Sequence, residues 1–310
     1  MLAQTSSPPF WSPEFFDEHT LPIGEWIEEA VFWLAVHAKP VFDAIRWPVD
    51  QLLNRSVDLL NGLPWPIVVL AFLLIGWRVR GLLVGALSAA GLVFLGFLAP
   101  ELWAKTMETL AMIVTAVSFC VVVGIPLGIL AARSDRLESG LRGVLDGMQT
   151  IHPFVYLLPI VFFFGLGRTP GVIATIIFAL PPIVRLTDLG IRQVPIEAVE
   201  AGRAFGSSEF QLLRDVQLPL ARPTIMAGLN QTLFLALSMV VIVALIAGGG
   251  LGQVILRGVN RSSVPIATTS GLAVLILAVV LDRLSQAPRG RKRWFWTGRW
   301  KALRTRIWPL

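Results

Sequence analysis

Between residues 64 and 281 the chain is a succession of apolar runs separated by short polar stretches. Seven runs stand out, at 64–77, 82–99, 106–132, 151–165, 171–184, 224–247 and 264–281. Several approach the roughly 20 residues that cross a bilayer as a helix. The first and fourth are short, so six spans is the alternative count. Prolines Pro126, Pro153, Pro159, Pro181 and Pro182 lie in or beside these runs. They predict kinked or broken helices, which a bundle tolerates when neighbours satisfy the freed carbonyls.

Ahead of the runs, helical periodicity replaces continuous hydrophobicity. Ile23, Trp26, Ile27, Ala30, Val31 and Leu34 form one stripe, with Glu25, Glu28 and Glu29 off it. A second stripe holds Phe42, Ile45, Val49, Leu52, Leu53 and Leu60. Both predict amphipathic helices lying on the membrane surface. Residues 1–20 lack the basic start and apolar core of a cleaved signal peptide. The expected organisation is an external segment over 1–62, a membrane domain over 63–283 and a tail over 284–310.

One polar stretch interrupts the pattern, at 197–219. Glu197 and the Ala-rich spacing after it predict a helix. Gly206 predicts a left-handed cap at its end, because glycine takes positive φ without steric cost. Ser207 or Ser208 then caps a second short helix carrying Phe210, Leu212, Leu213 and Val216, with Leu218-Pro219 closing the bend. The expectation is a compact helix-turn-helix between spans.

Composition fixes the class. The chain has 310 residues, 55% hydrophobic and 15% charged, with mean hydropathy +0.71, against roughly 25% charged residues in soluble domains. It is therefore read as an all-α, multi-pass membrane protein. Of 26 Lys and Arg, an N-terminus-outside topology puts 19 inside and 7 outside, the bias expected of cytoplasmic loops. That topology makes the 197–219 loop and the tail cytoplasmic and the acidic N-terminal region external. The tail interleaves Arg289, Arg291, Lys292 and Arg293 with Trp294, Phe295 and Trp296, a topology anchor facing membrane lipids. The basic balance is thus accounted for without nucleic acid.

Enzyme chemistry finds no support. His19, His37 and His152 are scattered, and the lone Cys120 sits in an apolar run, so no metal site is expected. The run Gly248-Gly249-Gly250-Leu251-Gly252 lacks the Gly-Lys-Ser/Thr ending of a phosphate loop and is read as a flexible or close-packed turn. Ionisable residues are nearly absent from the spans, which disfavours an ion-coupled carrier. Asn230, Gln231 and Ser238 are nominated as lining a passage for a polar solute; the competing reading is interhelical hydrogen bonding.

The loop resembles the cytoplasmic coupling loop of ABC importer permeases, through Glu200-Ala201-Gly202, Gly206 after three more residues, and Val216-Gln-Leu218-Pro219. Gly202 replaces the usual second alanine. The passages 148–159, 170–182 and 230–253, together with Ile45-Arg46-Trp47-Pro48-Val49-Asp50, are similar to the glycine betaine/proline betaine (quaternary amine) permeases; His152 departs from a proline-first form of the segment. The resemblance implies a type I ABC importer transmembrane domain of about seven helices in a bacterial inner membrane. It implies a non-catalytic subunit working as a homodimer with a cytoplasmic ATPase and an external binding protein. No cofactor is expected on this chain, ATP and Mg belonging to the ATPase. Glu200, Ala201, Gly202, Arg203, Phe205, Gly206, Phe210, Leu213, Leu218 and Pro219 form the implied ATPase-coupling site, with Phe205, Phe210 and Leu213 as apolar contacts and Glu200 and Arg203 as polar ones. The cargo so implied is glycine betaine, proline betaine or a related quaternary amine such as choline or carnitine, taken up in osmoprotection. The alternatives are another small polar solute or, less favoured, an ion-coupled carrier.

Overall fold

The computed structural model describes residues 22–286, all of whose regular structure is helical. In order these are α1 (Ile23–His37), α2 (Lys39–Gly62), α3 (Trp65–Arg80), α4 (Leu82–Leu98), α5 (Leu102–Arg133), α6 (Asp135–Thr150), α7 (Pro153–Phe164), α8 (Arg168–Arg192), α9 (Ile196–Ala204), α10 (Glu209–Ile246), α11 (Gly250–Asn260) and α12 (Val264–Ser285). The basic, Trp-rich tail and the acidic first residues lie outside the described residues.

Among the described residues, α5, α8, α10 and α12 are single helices long and apolar enough to cross a membrane. Two further candidates are bent pairs: α2 with α3, at 107°, and α6 with α7, at 100°. The count is therefore four, or six with each bent pair taken as one span, and the seven-span expectation changes in kind. Runs 64–77 and 151–165 are halves of broken units. The breaks follow from sequence: Pro64 and Pro153 bar continuation of the preceding helix, and each sits at the start of the next one. α4 is 17 residues, just short of a straight crossing.

α5, α8 and α10 make the centre. Their contacts are lined by small residues, which let membrane helices approach closely where no hydrophobic drive exists. A Cβ on Gly128 of α5 would stand 2.6 Å from the Thr187 Cβ of α8, and one on Gly190 of α8 would meet Thr224 of α10 at 3.0 Å. Pro181 and Pro182 lie inside α8, where neighbours supply polar ties to flanking carbonyls. Thr232 of α10 donates to the Ala179 carbonyl at 2.9 Å and the Cys120 thiol of α5 to that of Ile176 at 3.7 Å.

α2 departs from expectation. It was to lie on the membrane surface, yet Val49, Leu53 and Val57 are buried in one cluster with Ala111, Met112 and Val172, and Thr169 of α8 donates to Asp50 at 2.5 Å. α2 is an element of the bundle, because one face was apolar enough to find α5 and α8 rather than lipid. α1 buries no residue. Leu53→Ala should destabilise the purified protein by about 2–5 kcal/mol, seen as a lowered Tm in detergent. An unchanged Tm would return α2 to the surface.

Candidate functional site

The loop between α8 and α10 is built by local chemistry at each step. α9 ends on Gly206, whose φ is +78°. The Gly206 amide donates to the Arg203 carbonyl (2.9 Å) and the Ser207 amide to that of Gly202 (3.1 Å). This is the paired bonding of a Schellman cap, which requires the left-handed residue that only glycine adopts cheaply. Ser208 then starts α10 with a capping box. Its hydroxyl accepts from the Gln211 amide at 3.3 Å, and its own amide donates to the Gln211 side chain at 2.8 Å.

Leu218-Pro219 does not close a bend. α10 runs unbroken from Glu209 to Ile246, 38 residues or about 57 Å. Pro219 has no N–H to give to a carbonyl four residues back, and the chain meets this with a π-helical turn over Leu212–Gln217, in which Leu218 donates to the Leu213 carbonyl. The second arm of the loop and the following span are thus one rod.

The two arms are held together. The Arg203 guanidinium meets Glu209 at 3.1 Å, Leu212 is fully buried, and a Cβ at Gly202 would sit 2.7 Å from Leu212. That close approach accounts for glycine where an alanine was the usual residue. Arg133 at the end of α5 donates to the Glu209 carbonyl at 3.3 Å. At the loop's root, Arg192 bonds Asp188 and Asp135, both at 2.7 Å, and the Ala131 carbonyl at 2.9 Å, tying the end of α8 to the α5–α6 junction.

The expected site residues divide by exposure. Phe205 is 91% exposed and Phe210 68%, one on each side of the Gly206 turn in the chain. Glu200, Ala201, Arg203 and Pro219 are exposed as well, while Gly202 and Leu218 are half-buried. Leu213 is different: it is buried with Ile191 and Ala221 and cannot serve as an external apolar contact. Its helical phase places it beside Leu212, against the bundle. Arg203 is spent largely on Glu209, so the polar face left free is mainly acidic. Arg133, Arg192 and Glu209 were missed; no motif marks them, since their partners lie as far as 76 positions away.

On α10 the nominated passage residues also divide. Gln231, Phe234, Ser238 and Val241 make one exposed stripe at helical spacing, with the Ser238 hydroxyl donating to the Phe234 carbonyl at 3.0 Å. Asn230 sits off that stripe, half-buried, its carbonyl oxygen buried and without a partner among the described residues.

Two other features resolve. The glycine run is a packed turn: the Leu251 amide donates to the Thr109 hydroxyl of α5 at 2.8 Å, with Gly249 and Gly250 against Glu108 and Thr109. Glu108 is an ionic residue inside a span that sequence reading passed over. It is almost fully buried and paired with Lys105 at 2.9 Å and Arg168 at 3.6 Å. Among the described residues no three His, Cys, Asp or Glu side chains converge as metal ligands.

Comparison with known proteins follows the same outline. Residues 124–291 match the family model described as "Binding-protein-dependent transport system inner membrane component". The glycine betaine/proline betaine transport system permease protein ProW of Escherichia coli (strain K12) is 50% identical over 289 residues, 91% of this chain and 81% of that one. The glycine betaine/carnitine transport permease protein GbuB of Listeria monocytogenes serotype 1/2a (strain 10403S) is 40% identical over 278 residues, 86% of this chain and 95% of that one. Among solved structures, an inward-facing MetNI methionine ABC transporter superposes with TM-score 0.52 at 25% identity, covering 59% of this chain and 90% of that chain.

Proposed function

The chain belongs to the family of binding-protein-dependent transport system inner membrane components, and from that premise we propose that it imports glycine betaine, proline betaine or a related quaternary amine for osmoprotection. It is a non-catalytic subunit with the type I ABC importer transmembrane fold, and a separate ATPase chain hydrolyses ATP. A substrate-binding protein is its other partner. The cargo rests on one observation: half of the residues over 91% of the chain are shared with a permease named for glycine betaine and proline betaine.

In this reading two copies of the chain enclose the pathway, and the exposed stripe of Gln231, Phe234 and Ser238 faces it. The 197–219 loop is cytoplasmic, α1 is external, and the exposed Phe205 and Phe210 enter a cleft of the ATPase. Closure of the two ATPase subunits pushes the loop. Because α10 is continuous with the loop's second arm and α8 is tied at its root by Arg192, the push turns helices rather than melting a hinge. Glu200 and Pro219 lie on the exposed surface where they would meet that cleft.

The test is uptake by the permease with its ATPase and binding protein in proteoliposomes, against glycine betaine, proline betaine, carnitine, choline and proline. The expected result is ATP-dependent accumulation of methylated amines at least about tenfold above proline, a difference of roughly 1.4 kcal/mol. Preference for proline sinks the cargo reading. Uptake without the ATPase sinks the importer reading as a whole.

A further inference from the structure

Beside the stripe on α10 lies a cavity of about 400 Å³, within the size range of small-molecule sites. Its walls come from three helices far apart in sequence: Gln149 of α6, Pro182, Arg185 and Leu186 of α8, and Gln231 and Phe234 of α10. The close crossing of α8 and α10 creates it. A Cβ at Gly228 would meet Leu186 at 3.0 Å and the Pro182 carbonyl at 3.2 Å, so glycine lets α10 lie directly on the proline turn. One helical turn later, Gln231 and Phe234 emerge beside Arg185.

The polar inventory suits an anion. The Arg185 guanidinium carries five N–H donors. One nitrogen, Nη2, is bonded to Asp146 of α6 and Nε is buried, which leaves Nη1 as the nitrogen open to a ligand. The amides of Gln149 and Gln231 add further donors from the two neighbouring helices. The remaining wall is apolar, with the Phe234 ring, 46% exposed, as its aromatic member. A guanidinium N–H recognises a carboxylate by a charge-assisted hydrogen bond, and an aromatic face recognises a methylated ammonium.

We propose that this cavity holds the cargo in transit as a zwitterion, with Arg185, Gln149 and Gln231 donating to its carboxylate and Phe234 facing its quaternary ammonium. The inference rests on the importer reading and specifies where within this chain the solute pauses. Glycine betaine carries both groups; choline carries the same trimethylammonium without the carboxylate. Arg185 should therefore discriminate between them, and Phe234 should not.

Binding of labelled glycine betaine and of choline is measured on the permease–ATPase complex in nanodiscs, without the external binding protein, in parallel with uptake by proteoliposomes containing it. Arg185→Gln should weaken glycine betaine by about tenfold to a hundredfold, as for loss of a hydrogen bond to a charged group, and choline by at least about tenfold less. Arg185→Lys, which keeps a charge for Asp146, should fall between wild type and Arg185→Gln. Phe234→Ala should weaken both ligands by about two- to thirtyfold. Equal loss of both ligands in Arg185→Gln overturns the subsite, since that is what a purely structural arginine gives. Import by a wild-type complex that shows no such binding also overturns it and leaves the importer reading intact. A complex that neither imports nor binds glycine betaine overturns both.

Discussion

Gly206→Ile should abolish most uptake while the complex still hydrolyses ATP. With φ at +78°, a β-branched residue at this position costs about 1–3 kcal/mol of strain. The cheapest relief is to give up the two cap bonds from Gly206 and Ser207. The arms then splay, and displacement of the ATPase no longer reaches α10 in full. Uptake at saturating ATP should fall by about tenfold or more. The series has an internal order: Gly206→Asn, which tolerates the left-handed region, should keep most of the activity, and Gly206→Ala should lie between. Uptake by Gly206→Ile at the wild-type rate would remove the cap from the mechanism.

Replacing Phe205 and Phe210 together by alanine should detach the ATPase. Two phenylalanines exposed by 91% and 68% on one polar loop are the pattern of anchors awaiting a groove. Aromatic anchors at the centre of an interface contribute about 2 kcal/mol or more each. Neighbouring residues do not add fully, so the double variant should lose at least about a hundredfold in affinity, measured by co-purification and titration of the ATPase. Phe97→Ala is the control. That phenylalanine is 85% exposed on the apolar helix α4, where lipid is its natural neighbour, and its removal should leave the affinity unchanged.

What could be read from the chain followed the range of the forces involved. Gly206, Ser208 and the cap bonds around them act within five residues, so their chemistry is written locally and the turn was visible. The break at Pro153 was visible as a proline and that at Pro64 only as the start of an apolar run, but in neither case that it joins two helices at about a right angle, because a bend direction is set by packing. Leu218-Pro219 suggested a turn since a proline usually ends a helix; the π-helical turn before it absorbs the missing donor and hides the effect. Leu213 was misassigned because one-residue phase decides which side of a helix faces the bundle. α2 was misplaced for a related reason. Val49, Leu53 and Val57 form a stripe equally suited to lipid and to protein, and only the fit against Met112 and Val172 separates the two. Arg185 showed in the sequence only as one more positive charge on the inner side. Its meeting with Gln149 and Gln231 depends on three helices crossing.

The unbroken helix from Glu209 to Ile246 also constrains how such permeases can be recombined. Each residue advances an α-helix by about 100°, so Phe210 and the Gln231–Ser238 stripe are locked in rotational phase. A chimera joined anywhere between them must preserve residue count to the unit, or the stripe turns away from its cavity while the loop still docks. The chain offers a safer seam at Val194-Pro195, where α8 has ended and α9 has not begun. Exchanging the segment that begins there would carry loop and stripe across as one indexed part, leaving the rest of the bundle to supply Arg185 and Gln149.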